Sequence, residues 1–393
     1  MNWSNVALST LVDIKGGGTP SKANPEYWNG SIPWASVKDF KSSDLNGASD
    51  YITQEGIDNS ATSLIPSGNL IVPTRMALGK VAINSVDIAI NQDLKALIIK
   101  DESVVDTEYL FRCIQSKSEE IVRQGKGATV KGITVDVLKN LQIPLPPLET
   151  QKQIATVLEK ADQLRKDCQQ MEQELNSLAQ SVFIDMFGDP VTNPKGWETA
   201  SLDCIAKVQI GPFGSQLHKE DYIADGIPLI NPTHIANGQI IPDMNLTLTP
   251  EKFETLPNYH LKAGDIVMGR RGEMGRTALI DERSQGWFCG TGSLYIRITS
   301  HVVQPVFLNS VMSCSSMKTW LEEQSLGATM PNLNKKILHS IQVPIPTEEL
   351  QKNYVVALEV LRQQRKEQEE HVQELDSLFN SLMQKAFKGE LNL

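Results

Sequence analysis

The chain has 393 residues, 40% of them hydrophobic and 21% charged, with a formal net charge of −10 at pH 7. That leaves room for two or three domains with adequate cores, and it excludes a disordered or fibrous protein. The opening MNWSNVALST has no basic flank before an apolar run, and no stretch is apolar for long enough to cross a bilayer. The expectation is therefore a cytoplasmic chain with no secretory leader and no membrane association.

Five cysteines (Cys113, Cys168, Cys204, Cys289 and Cys314) are scattered and never spaced as C-x-x-C. That argues for a reducing compartment and against a disulfide framework or zinc site. Residues 1–146 carry 14 basic and 16 acidic side chains, residues 191–346 carry 13 and 14, and the remainder carries 10 and 17. Neither near-neutral region is basic enough to hold nucleic acid by charge alone, so a nucleic-acid reader built this way would share the work with a more basic partner.

Taken in order, the chain reads twice. Trp3 and Trp197 open the two copies, followed by LSTLVDIKGGGTPS (8–21) and LDCIAKVQIGPFGS (202–215), each ending in a glycine loop and a serine. Ile32-Pro33 matches Ile227-Pro228, and PSGNLIVPTRMALGKVAI (66–83) matches KAGDIVMGRRGEMGRTAL (262–279), with Arg75 on Arg271 and Lys80 on Arg276. Gly127-Ala128-Thr129 falls on Gly327-Ala328-Thr329, IPLP (143–146) on VPIP (343–346), and Gln151-Lys152 on Gln351-Lys352. Within each copy, short β-branched runs alternate with turn residues and read as strands, while 106–122 and 304–324 read as amphipathic helices.

After each proline-rich stop comes a long polar helix. The first covers about 148–187, with apolar residues at Ile154, Val157, Ala161, Leu164, Cys168, Met171, Leu175, Leu178 and Val182. The alternation of three and four is a heptad, and so narrow a stripe requires a partner helix. The second helix, running to about 387, offers Tyr354, Ala357, Leu361, Gln364, Gln368, His371, Leu375, Leu378 and Leu382 in the same frame, polar in its middle. Antiparallel pairing of the two would relate the halves by a pseudo-twofold axis. A helix of about 38 residues would span ~57 Å. Two similar heads on such a spacer could measure a distance, and duplex DNA with two separated half-sites is the natural object.

The run from Leu11 to Ser21, Ile32 to Phe40, GNLIVPTRMALGKVAINSVDIAINQDLKAL (68–97) and GATVKGITVDVLKNLQIPLPPLETQKQIATVLEKAD (127–162), with their second copies, resembles the specificity subunit of type I restriction–modification systems. The similarity covers essentially the whole chain. It implies an α+β fold of two similar mixed α/β target recognition domains, separated by a pair of long antiparallel coiled-coil helices in a pseudo-twofold repeat. The parts would be recognition domain 1 (1–146), the first helix (147–188), recognition domain 2 (189–346) and the second helix (347–393). Each domain would read one half of a bipartite double-stranded DNA target. The helices would set the gap and dock two methyltransferase subunits, which in turn recruit restriction (translocase) subunits. S-adenosylmethionine would belong to the methyltransferase and ATP with Mg²⁺ to the restriction subunit, with no cofactor in this chain. The second copy departs from the pattern, with TEELQKNY for PLETQKQI and CGTGSLYIRI for AINQDLKALI, which suggests that the two domains read different sequences.

The Arg75–Lys80 and Arg270–Arg276 loops, including Arg271, place cations and glycines between two strands and suit the guanine edge or phosphate. A solvated surface hairpin is the plain alternative, and recurrence in both copies favours contact. Lys15, Thr19, Ser21 and Lys22, with Ser215 in the other copy, lie on glycine loops that let backbone amides approach an anion, or are flexible turns. Trp34, Ser36 and Lys38, matched by Asn231, Thr233 and His234, sit on strand-like runs where a base edge could be read, or on a half-exposed strand. The resemblance adds a DNA-proximal loop with Thr129 and Lys131, and Thr329 in the second copy.

Catalytic patterns such as H-E-x-x-H, G-x-S-x-G and G-x-G-x-x-G are absent, and the six histidines show no metal-ligand spacing. The expectation is a non-catalytic chain. A protein-only coiled-coil scaffold and an autonomous two-headed DNA-binding regulator are the alternatives. An enzyme is a third, without a motif to support it.

Overall fold

A computed structural model describes residues 3–127, 130–236, 238–271, 274–325 and 332–391. The chain forms two compact units, one of residues 1–169 with 370–393, the other of residues 170–369. Each unit thus takes part of each long helix.

In the first unit, a five-stranded sheet has the order Val12–Gly16, Leu94–Ile99, Leu70–Pro73, Ala82–Asn84, Asp44–Leu45. Its pairs are antiparallel except the last, where Asp44–Leu45 runs parallel to Ala82–Asn84. A second sheet of four strands, Asp50–Ile52, Trp28–Ala35, Ile88–Ile90 and Ser63–Ile65, faces it. Strand alternation divides the core: Ile71 and Ala96 pack with Ile88 and Ile90 between the sheets, whereas Leu70, Val72 and Leu97 point to the helical side. There they meet Tyr109, Leu110 and Ile114 of the helix Thr107–Ser116, an amphipathic segment started by the Asp106 side chain accepting from the Tyr109 amide.

The second unit repeats the plan on a smaller scale. Its sheet runs Ala206–Ile210, Ser293–Ile298, Ile266–Gly269, Thr277–Leu279, all antiparallel. The parallel pair Leu229–Ile230 with Phe288–Cys289 stands where Trp34–Ala35 pairs with Ala89–Ile90 in the first unit. Each unit is closed by a short antiparallel pair joining its start to the residues just before its long helix: Asn5–Ala7 with Gln142–Pro144, and Thr199–Ser201 with Gln342–Pro344.

The long helices span Leu148–Phe187 and Glu348–Lys388. In the first unit, Ile154, Ala155 and Leu158 near the start of one helix share a core with Phe379, Met383 and Ala386 near the end of the other. In the second unit, Phe183 and Phe187 share a core with Tyr354 and Leu358. Both arrangements are antiparallel, as the paired stripes implied. The launch of each helix is also duplicated. Buried Gln151 accepts from the Asp106 amide (2.9 Å) and donates to the Val104 and Pro146 carbonyls (3.0 and 2.8 Å). Gln351 does the same with the Gln304 amide (2.8 Å) and the Val302 and Pro346 carbonyls (2.9 and 3.0 Å).

The seam itself requires a correction. Ile154 and Tyr354 are buried, and Val157, Ala161, Leu175, Ala357, Leu361, Leu375 and Leu382 are half-buried, but Leu164 (58% exposed), Leu178 and Leu378 face outward. The buried stripe runs instead through Leu158 and Asp162 on the first helix, with Arg165 half-buried beside them. Asp162 is buried because Arg112 from the globular part reaches it at 3.1 Å, with Arg165 at 2.8 Å and Lys166 at 3.1 Å. Arg165 also reaches Asp376 of the second helix at 3.4 Å. A charge whose partners come from elsewhere in the fold takes the place that residue type assigned to leucine.

Candidate nucleic-acid interface

Antiparallel pairing gathers the loops of the first unit at one end of its larger sheet. Gly16 ends its strand opposite Lys95, and Pro73 ends its strand opposite Leu94. The loops after residue 16, before residue 94 and after residue 73 therefore emerge together. The segment after the short helix Ser118–Arg123 joins them, since Gly132 bridges both Arg75 and Lys126. Gly17 makes this closure possible: a Cβ there would lie 2.0 Å from the Ile90 carbonyl oxygen.

On this surface Arg75, Lys131, Lys15, Thr19, Ser21 and Lys22 are all exposed. Arg75 is only loosely held, 4.0 Å from Asp93. Thr19 donates to Gln92 at 2.6 Å, and the Lys131 carbonyl accepts from the Met76 amide. Others among the predicted contacts do internal work. Trp34 is buried and donates from Nε1 to the Gly18 carbonyl at 3.0 Å, pinning the glycine loop, so it offers no edge to a base. Ser36 caps a short turn with Asp39, whose carboxyl burial pushes up but hydrogen bonds from Ser49 and Ser36 bring net below its usual value. Lys38 pairs with Asp50 at 2.7 Å. Lys80 donates to the Phe40 carbonyl at 2.9 Å. Thr129 lies outside the described residues.

The second unit gathers the matching loops. Ile210 ends its strand opposite Leu294, and Gly269 ends opposite Ser293. A Cβ on Gly211 would lie 2.0 Å from the Gly290 carbonyl oxygen, the same close approach as at Gly17. Arg271 and Ser215 are exposed here, as is Thr233. Arg270 is not a surface cation. It is 4% exposed, and its Nε donates to the Thr291 carbonyl at 3.2 Å. Burial, with the Arg271 charge beside it, lowers its pKa from the usual arginine value. Asn231 accepts from the Gly292 amide at 3.1 Å, and the His234 Nδ1 lies 2.9 Å from the Leu229 carbonyl, so both brace the loop rather than project from it. Arg276 donates to the Ile235 carbonyl at 3.2 Å. Thr329 lies outside the described residues.

Lys80 and Arg276 thus play one part in both units. Each reaches the carbonyl of the residue that follows the short turns Val37–Asp39 and Pro232–His234. Their recurrence in the two copies is accompanied by a shared staple.

Residue type alone did not single out several exposed side chains on the same loops. Met76 is 64% exposed and holds φ at 61°, a left-handed conformation uncommon outside glycine. Its counterpart in the second copy is Gly272. Phe213 is 68% exposed where the first copy has Thr19. Lys335 and Lys336 are exposed just after Leu333, whose amide donates to the Arg270 carbonyl. The signal available in the sequence was a lone large apolar residue inside a glycine-rich or cationic loop.

The arrangement defines a duplicated domain that offers two non-identical loop surfaces, each suited to a polar, anionic polymer. The model of the type I restriction modification DNA specificity domain matches residues 1–177 and again 194–386, so this chain belongs to that family and carries its domain twice. It is 30% identical over 261 residues to the specificity subunit of the type I restriction enzyme MjaIX from Methanocaldococcus jannaschii, covering 61% of this chain and 60% of that one. It is 38% identical over 156 residues to the EcoR124I/EcoR124II specificity subunit of Escherichia coli, 38% of each chain. To the E. coli EcoBI specificity subunit it is 24% identical across 90% of this chain and 82% of that one. The matches thus span less than two thirds of the MjaIX and EcoR124I/EcoR124II subunits. Among solved structures, the S subunit of a type I system from M. genitalium aligns with a TM-score of 0.57 at 18% identity, over 98% of this chain and 96% of that one. A chain from a study of complex assembly and conformational transition of the type I R-M system gives 0.64 at 19%, over 99% and 98%. These two likenesses concern the fold. No described helix is long and apolar enough to cross a membrane.

Proposed function

We propose that this chain is the non-catalytic DNA-reading subunit of a cytoplasmic type I restriction–modification complex, in which each unit reads one half of a bipartite duplex target. The observation that carries this reading is the duplication with substitution. The same loops meet at the same sheet end in both units, braced by equivalent staples and each carrying an exposed arginine, Arg75 or Arg271, yet other tip residues differ: exposed Thr19 in one stands where exposed Phe213 stands in the other, and Met76 where the second copy has glycine. A shared scaffold with unlike tips is what reading two different words requires. Exposed cations position the backbone, and the remaining tip residues meet base edges in the groove.

The long helices set the gap between the half-sites and dock two methyltransferase subunits. Met171 and Leu178 lie seven residues apart on the part of the first helix that belongs to the second unit and are exposed, apolar side chains left over for a partner. Chemistry resides in those partners: S-adenosylmethionine in the methyltransferase, ATP and Mg²⁺ in restriction subunits that join through it.

The test is methylome sequencing of cells that carry the chain with its methyltransferase. The expected result is methylation within one gapped, bipartite word. Inserting four residues into both helices adds ~6 Å of helix, near two base pairs at ~3.4 Å each, and should widen the gap while leaving both half-words intact. Methylation in an ungapped word, or a gap indifferent to the insertion, would overturn the reading. A gel shift of the chain with its methyltransferase, with and without the specific duplex, separates it from a protein-only scaffold.

A further inference from the structure

Resting on that reading, we propose that Phe213 is an apolar wedge that enters the base stack of the half-site read by the second unit. It is the most exposed large hydrophobic side chain among the described residues, at 68%. An aromatic ring left in water is an expense that a loop of glycine, proline and serine has no packing reason to bear.

The ring is held out by a fixed backbone. On the near side, the Gly211 amide donates to the Ser293 carbonyl at 3.0 Å, and the missing Cβ of Gly211 lets the loop lie against Gly290. On the far side, the Phe213 amide donates to the Gln216 Oε1 at 3.1 Å and the Phe213 carbonyl accepts from the Gln216 amide at 2.9 Å. The Tyr259 hydroxyl holds the same Gln216 oxygen at 3.1 Å, and Leu217 is buried just beyond. Main-chain freedom is thereby removed while the side chain keeps its solvent exposure, the condition for inserting a ring without first ordering a loop.

Position and neighbours point to a nucleic acid rather than a protein. Phe213 leaves the sheet at the end where Gly269 meets Ser293 and exposed Arg271 departs. A ring at a cationic sheet end matches the apolar wedges that part a base step while nearby cations hold the phosphates. The first unit presents Thr19 at the same place, a short hydroxyl tied to Gln92, so the wedge belongs to one half-site only.

The experiment compares the wild-type chain, F213A and F213W, each assembled with its methyltransferase, by methylome sequencing and by 2-aminopurine fluorescence. The fluorescent duplexes carry the analogue stepwise through each half of the word read for the wild type. The expected results are an unchanged melting temperature for F213A, an unchanged first half-word, and a methylated fraction at least tenfold lower or one degenerate position in the second. One step of the second half-site should brighten with wild type and F213W but not with F213A. A gapped word and a fluorescence pattern unchanged by F213A would overturn the wedge alone. A lowered melting temperature with both half-words lost would also overturn it, since the ring would then be holding the fold. An ungapped wild-type word would overturn the two-headed reading and the wedge with it.

Discussion

Lys80 and Arg75 lie five residues apart in one loop, yet the structure assigns them opposite work. Both are exposed, but Lys80 donates to the Phe40 carbonyl, whereas Arg75 is only loosely tied to Asp93. K80A should lower stability by about 1 kcal/mol through the lost charge-assisted hydrogen bond, with the methylated word and the salt dependence of DNA binding unchanged. R75A should leave the melting temperature alone and make the slope of log K against log salt shallower by about 1, the signature of a lost phosphate contact. Denaturant melts and binding titrations on the two variants decide between them, and a K80A variant that changes the salt slope would sink the staple. The sequence could place both cations on one hairpin but could not rank them, because the distinguishing feature is a carbonyl 40 residues away. Trp34 and Arg270 illustrate the same blindness. Their residue types suit a base edge or a guanine, but their burial follows from where the neighbouring loops pass.

At the level of elements, most of the fold was legible. The helix limits, the duplication and the strand runs all follow from local pattern, as does the antiparallel pairing found inside each unit. The seam register was not, since Leu164 and Leu178 satisfy a heptad as well as the residues that fill it, and only tertiary partners make Asp162 a core residue. This cluster gives two testable consequences. D162N strands Arg112 in a buried site and should cost about 3 to 5 kcal/mol, the range for breaking a buried ion pair. Burial alone would raise the Asp162 pKa, but Lys166 and Arg112 hold it net below the ordinary aspartate value. Its contribution is therefore full above the unfolded-state value near 3.9 and is lost as pH falls through the lower folded value. Urea melts from pH 7 to pH 3 should show the wild-type advantage over D162N shrinking at the acid end, and a constant difference would remove Asp162 from the account. The glutamines that launch the helices act independently of pH. Q151A leaves the Asp106 amide and two carbonyls unpaired in a buried site, and should cost about 3 kcal/mol, as should Q351A in the other unit.

For the whole molecule the governing quantity is charge. A net charge of −10 repels DNA, and the exposed cations placed on the two loop surfaces are few. Setting aside Lys80, which is exposed but tied to the Phe40 carbonyl, the first unit offers among the described residues Lys15, Lys22, Arg75, Lys126 and Lys131, and the second Arg271, Lys335 and Lys336. If every one met a phosphate, log K would fall against log salt with a slope no steeper than about −7, at roughly 0.9 per contact on duplex DNA. Fewer contacts than the maximum, and repulsion from the acidic helices, push the chain alone well short of that. On the proposed reading, tight binding at physiological salt draws on contacts from another subunit. Filter binding between 0.05 and 0.3 M KCl should give the chain alone a weak affinity and a shallow slope, and the chain with its methyltransferase a steeper one on the same duplex. A slope for the isolated chain steeper than about −7 would mean that phosphates are held by surfaces other than these loops, and the assignment of the reading faces would have to be moved.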